Sequence, residues 1–160
     1  MLKVKDCLFE KQKKVERGTT LKEIIKIFRN NRSNNLPVVD SEGRIVGRIA
    51  LEEILSVFQP HSAEINQLLK TVPFLDNVPE EEIDIDFITP EMGILIVADE
   101  IMNRQLLTIR PENTIAEAFA VMKANQTEFL IVTDDENRLN GTLEMFDIMY
   151  AIFTEKGVIY

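Results

Sequence analysis

The chain has 160 residues, 45% of them apolar and 28% charged, the balance of a globular protein with one compact domain or two small ones sharing a core. A formal net charge of −9 argues against a fold whose main work is gripping phosphate backbones, and no apolar run nears the roughly 18 residues of a membrane helix. The only cysteine, Cys7, excludes an internal disulfide, and the first residues lack the apolar stretch of a secretory signal, so a reducing cytoplasm is the expected location.

In chain order, Lys3, Lys5, Lys11, Lys13, Lys14 and Arg17 make a basic start that reads as solvated surface. Val15 marks a short extended piece. Thr20-x-x-Glu23 then spells a capping box, in which the hydroxyl bonds the amide three residues on and the carboxylate reaches back. Behind it Leu21, Ile24, Ile25 and Phe28 fall at helical spacing. Leu36-Pro37-Val38-Val39 and Ile45-Val46, joined by Asp40-Ser41-Glu42-Gly43, read as strand, turn and strand. Ile54, Leu55 and Phe58 belong to a closing helix.

Residues 59–96 hold a predicted helix from Ser62, an acidic run through Glu80-Glu81-Glu82, and an extended piece with Ile83, Ile85 and Phe87 on one face. Their apolar content suits a segment packed on the rest of the protein better than a free linker. His61 stands alone and reads as a surface residue rather than a metal ligand. The first pattern then returns. Leu107-Thr108-Ile109 is extended, Thr114-x-x-Glu117 is a second capping box, and Ile115, Ala118, Phe119 and Met122 follow at helical spacing. Phe129-Leu130-Ile131-Val132 and Leu139 flank the turn Asp134-Asp135-Glu136-Asn137, and Ile148, Met149 and Ile152 close the unit.

Residues 15–54 match 109–148 without a gap at a constant offset of 94, pairing Thr20 with Thr114, Leu36 with Leu130, Asp40 with Asp134 and Gly47 with Gly141. An internal duplication is the simplest account. A unit of about 50 residues buries too little surface to be comfortably stable alone, so two copies are expected to share one core.

The run Leu-Pro-Val-Val-Asp-x-x-Gly-Arg-Ile-Val-Gly, with a helix just after it, resembles the cystathionine-β-synthase (CBS) domain, residues 4–58 being one copy and 97–153 the second. The resemblance implies an α+β (mixed α/β) fold of tandem β-α-β-β-α repeats paired about a pseudo-two-fold axis. The expected divisions are 1–58, an acidic insertion 59–96, and 97–160. Such pairs often dimerise and often bind AMP, ATP, S-adenosylmethionine or related adenosyl ligands.

The family's ligand motif runs Gly-x-x-Thr/Ser-x-x-Asp across the last strand and helix start. There the hydroxyl and free amides face a phosphate, and the Asp accepts bonds from ribose hydroxyls. Copy one reads Gly47-Arg48-Ile49-Ala50-Leu51-Glu52-Glu53, without the hydroxyl and with a longer acid. Copy two reads Gly141-Thr142-Leu143-Glu144-Met145-Phe146-Asp147, with the acid in place but Glu144 where the hydroxyl belongs. A carboxylate there suits the helix dipole but repels a phosphate, by up to roughly 4 kcal/mol for unit charges about 4 Å apart at intermediate dielectric. Arg48, Arg17, Arg32, Arg110 and Lys13 are the cations available to offset it.

The resemblance thus places ligand-binding residues at Asp147, Glu144, Thr142, Ile109, Phe129 and Ile131 in copy two, and at Val15, Pro37, Ala50 and Glu53 in copy one. The adenosyl base is expected near Ile109, Phe129 and Ile131. No P-loop, dinucleotide fingerprint, catalytic triad or metal-ligand spacing is present, so a non-enzymatic regulator with no required cofactor is expected. It would sense an adenosyl ligand and signal to an unidentified protein partner in trans. The other reading is a homodimerisation or interaction module whose nucleotide sites have degenerated.

Overall fold

A computed structural model of the chain describes residues 1–8, 13–31, 33–58, 86 and 88–160. Most of the insertion, including His61, the helix expected from Ser62 and the alternating Ile83–Phe87 piece, lies outside the described residues, as does Arg32.

The first repeat comprises β1 (Val15–Glu16), α1 (Leu21–Arg29), β2 (Asn35–Val39), β3 (Ile45–Ala50) and α2 (Leu51–Val57). Short helices α3 (Met92–Leu95) and α4 (Ala98–Ile101) precede the second, which comprises β4 (Thr108–Ile109), α5 (Ile115–Ala124), β5 (Phe129–Thr133), β6 (Leu139–Glu144) and α6 (Met145–Glu155). Each repeat forms a three-stranded sheet whose middle strand runs parallel to the first and antiparallel to the third. Both sheets slip register by one position at equivalent places, Val38/Val39 and Val132/Thr133.

The local signals act as the sequence expects. The Thr20 hydroxyl accepts the Glu23 amide at 3.4 Å while the Glu23 carboxylate accepts the Thr20 amide at 3.0 Å. Thr114 and Glu117 repeat this at 3.1 and 2.9 Å. In the turns, Asp40 takes the amides of Glu42 and Arg44, and Asp134 those of Glu136 and Arg138, all at 2.9 Å. The fourth turn residue has positive φ in both, Gly43 at 80° and Asn137 at 62°, a conformation glycine adopts freely and asparagine tolerates.

The turns also mark the symmetry axis. Arg44 and Arg138, equivalent residues, bridge to each other, and Ile45 and Leu139 donate their amides to the carbonyls of Asn137 and Gly43 at 3.0 Å. Around that axis Val39, Ile45, Phe129 and Ile131 form a core common to both repeats. Successive strand residues face opposite ways, so Leu130 and Val132 pack inside the second repeat while Phe129 and Ile131 meet the first. Burial on both faces explains the unbroken apolar run of β5.

The repeats are further joined by an exchange that the linear pattern does not reveal. The 3-10 turn Val4–Cys7 packs into the core of the second repeat with Ile109, Met122 and Leu143, while Ala98 and Met102 pack into that of the first with Ile24, Leu36 and Ile49. The Val4 amide bonds the Asn113 carbonyl and the Ala98 amide bonds that of Thr19, both at 2.9 Å. A Cβ on Gly47 would lie 2.5 Å from the Met102 sulfur, and one on Gly141 would lie 3.4 Å from the Leu8 methyls. Every one of these pairs keeps the offset of 94, so the exchange is as symmetric as the repeat. Each repeat's core is completed by a turn from the other half of the sequence. At the end of the insertion, Met92 and Ile96 pack on the first repeat's core.

Candidate functional site: a cleft between the repeats

A cleft of about 460 Å³ opens where the two repeats meet, within the range of small-molecule sites. From the second repeat it takes Gln105 and Leu107 before β4, Asn125 to Glu128 between α5 and β5, Phe129 and Ile131 on β5, and Glu144, Met145 and Phe146 at the start of α6. The first repeat supplies Asn34, Asn35, Arg48 and Glu52. Phe129 and Ile131 are buried and belong to the common core, so the cleft's apolar wall is also the contact holding the repeats together. Its other surfaces are rich in side-chain amides, groups able to read the edge of a heterocyclic base.

The helix start at this cleft is bonded to the other repeat. Glu144 is the N-cap residue of α6, and the Ser33 hydroxyl of the first repeat donates a hydrogen bond to its carboxylate. Ser33 in turn accepts the Asn35 amide at 3.1 Å. Asp147 accepts the Glu144 amide at 2.8 Å, and burial pushes its carboxyl above the usual range. Its charge also acts on Cys7, whose thiol is held at about 11, chiefly by burial. Asp147 therefore holds the first turn of α6, a helix that packs against the Val4–Cys7 turn.

Repeat one shows the same plan with other atoms. Glu53 accepts the Ala50 amide at 3.3 Å and the Asn103 side-chain amide at 3.3 Å, and Arg48 stands 3.9 Å from it. Arg48 also donates to the Asn35 side-chain carbonyl at 3.1 Å.

Of the residues expected from the sequence, the structure gathers Glu144, Phe129 and Ile131 in this cleft. It places Ile109 in the second repeat's own core, Thr142 buried on β6, and Asp147 at the exchanged turn. Val15 lies in the first repeat's core, Pro37 is buried in β2, and Ala50 and Glu53 hold the start of α2. None of these seven lines the cleft. Among the cations, Arg48 does. Arg17 faces Asp99 at 4.0 Å, Arg110 bonds the Thr133 carbonyl at 3.4 Å, and Lys13 bonds the Asn30 carbonyl at 3.3 Å.

The connectors before β2 and β5 were not singled out by sequence, yet they carry Ser33, Asn34 and Asn125 to Glu128, with Asn35 the first residue of β2. The available signal was an amide-rich run immediately before each apolar strand, at matching places in both copies. Gln126 adds a second sign, since its φ of 51° is unusual for a residue other than glycine, and such backbone gathers at functional sites. Among the described residues no group of acids, histidines or cysteines is arranged to hold a metal ion, and no helix is long and apolar enough to cross a membrane.

Against known proteins, the family model for the CBS domain matches residues 4–59 and 97–154. An uncharacterized protein of Methanocaldococcus jannaschii is 26% identical over 133 residues, 81% of this chain and 79% of that protein. A second from the same organism is 24% identical over 151 residues, and there the match covers 94% of this chain but 40% of the relative. Among solved structures, CBSX2 in complex with AMP superposes with a TM-score of 0.69 at 18% identity, over 98% of this chain and 99% of that one. CBSX2 is a CBS-pair protein of Arabidopsis thaliana, and the likeness is one of fold.

Proposed function

Because the chain belongs to the family of CBS domains, as a tandem pair, we propose that it is a regulatory module that binds an adenosyl ligand between its repeats. The observation that carries this reading is the cleft whose apolar wall, Phe129 and Ile131, is shared with the core joining the repeats. A ligand seated there touches both repeats at once. It shifts their relative arrangement to the extent that it prefers one arrangement over another. The AMP bound by CBSX2 supports the adenosyl class. The module acts by binding rather than catalysis, in the cytoplasm, and passes its signal to a partner protein. Calorimetric titration with adenosine, AMP and S-adenosylmethionine tests the reading. Saturable binding that weakens at least about tenfold, a loss of about 1.4 kcal/mol, in Gln126→Ala is expected. Flat titrations with all three would contradict it.

A second reading rests on a separate observation. Phe146, Met149, Tyr150 and Phe153 are all at least 38% exposed and share one face of α6, and Leu51 and Leu55 are exposed on the equivalent helix α2. A contiguous apolar face suits association, and a second copy of the chain is the proposed occupant. Sedimentation of the unliganded protein should give a dimer at micromolar concentration, and Phe153→Lys should dissociate it. A monomeric wild-type chain would remove this reading.

A further inference from the structure

We propose that Glu144 sets the charge of the ligand this cleft accepts, admitting an adenosyl compound that is neutral or cationic beside α6 and rejecting a phosphate. This rests on the adenosyl-binding reading above and narrows it. The carboxylate of Glu144 lies among the lining residues and is held there from the opposite repeat by the Ser33 hydroxyl. Glu52 and Glu128 line the same cleft, so its described wall carries three carboxylates against the single guanidinium of Arg48. That guanidinium already serves Glu53 and the Asn35 carbonyl. At the helix start the Glu144 amide is taken by Asp147 and the Met145 amide by the Glu128 carbonyl, so neither is offered to an incoming anion. A phosphate here would meet a fixed negative charge and displace an inter-repeat hydrogen bond. A ribose hydroxyl, by contrast, can donate to Glu144, and a sulfonium or ammonium group is attracted to it.

Calorimetric titration of wild-type protein and Glu144→Gln with adenosine, AMP and S-adenosylmethionine tests this directly. Wild type should bind adenosine and S-adenosylmethionine at least about tenfold more tightly than AMP, and in Glu144→Gln the gap between adenosine and AMP should close to about threefold or less. In wild type the same gap should narrow as salt rises, since ionic strength screens the repulsion; this needs no variant that has to fold. Ser33→Ala removes the partner but keeps the charge, and should preserve the discrimination against AMP. Equal wild-type affinities for adenosine and AMP, a salt-independent gap, or a gap abolished by Ser33→Ala would each overturn the role given to Glu144 while leaving adenosyl binding intact. AMP binding gained by Glu144→Gln when wild type binds nothing would sink the sensing role instead and keep the role of Glu144. Flat titrations throughout would sink both.

Discussion

The starts of α2 and α6 share an extended cap residue at the same strand register, yet they are wired differently. At α2 the residue in the cap position is Ala50, and the acid three residues on, Glu53, gathers the Ala50 amide, Asn103 and Arg48. At α6 the cap position itself carries an acid: among the described residues Asp147 accepts only the Glu144 amide, while Glu144 reaches across to Ser33. One start is closed within its own repeat and the exchanged segment after α4. The other is tied to the opposite repeat across a cleft. Duplicated skeletons hold their shape through caps, turns and strand packing, which leaves the helix starts free to diverge in chemistry.

The largest expected effect tests the shared skeleton. Leu36 and Leu130 are equivalent and both fully buried. Leu36→Ala and Leu130→Ala should each cost about 2–5 kcal/mol. Each variant should still unfold in one transition, because the exchanged turns and the common core bind the repeats into a unit. Two separated transitions in chemical denaturation would break the equivalence.

Much of this skeleton was legible in the sequence. The offset of 94, the two capping boxes and the Asp-led turns came from short-range rules that tertiary context had no reason to override. The exchange of Val4–Cys7 and Ala98–Met102 was not legible, because nothing local says which sheet a leading turn will cover. The site was half legible. Phe129, Ile131 and Glu144, which the family resemblance implies, line the cleft. Asp147, expected beside the ligand, accepts the Glu144 backbone amide at the start of α6 and is not among the residues lining this cleft. Ser33 and the amide connectors matter through contacts more than 90 residues apart in the chain, which periodicity does not report.

A middle-sized effect separates the helix starts themselves. Glu53→Ala and Asp147→Ala should each lose about 0.5–1.5 kcal/mol for the helix-start hydrogen bond. The Glu53 variant should be the less stable, since Asn103 and Arg48 lose a partner as well. The two acids also differ with pH. Burial raises the Asp147 carboxyl above its unfolded value of 3.8, so the folded protein holds that proton more tightly than the unfolded chain. Wild type should therefore gain stability relative to Asp147→Asn as pH falls through the elevated folded value, the gain being complete below 3.8. Urea unfolding of both proteins from neutral pH to about pH 4 checks the sign; a relative loss would contradict the buried placement of Asp147.

The smallest effect concerns Gln126, whose positive φ glycine would adopt without strain. Gln126→Gly should stabilise the fold by up to about 1 kcal/mol while weakening adenosyl binding. Gain of stability with unchanged affinity would reduce Gln126 to a turn residue.

The central claim, that the inter-repeat cleft is where an adenosyl ligand binds, is tested most directly by mapping backbone amide chemical shifts during titration with adenosine. The shifts should gather at Asn34, Asn35, Thr127, Phe129, Ile131 and Glu144 to Phe146, from both repeats together. Shifts gathered instead around Asn103 and Asp147, or no shifts at saturating adenosine, would contradict it.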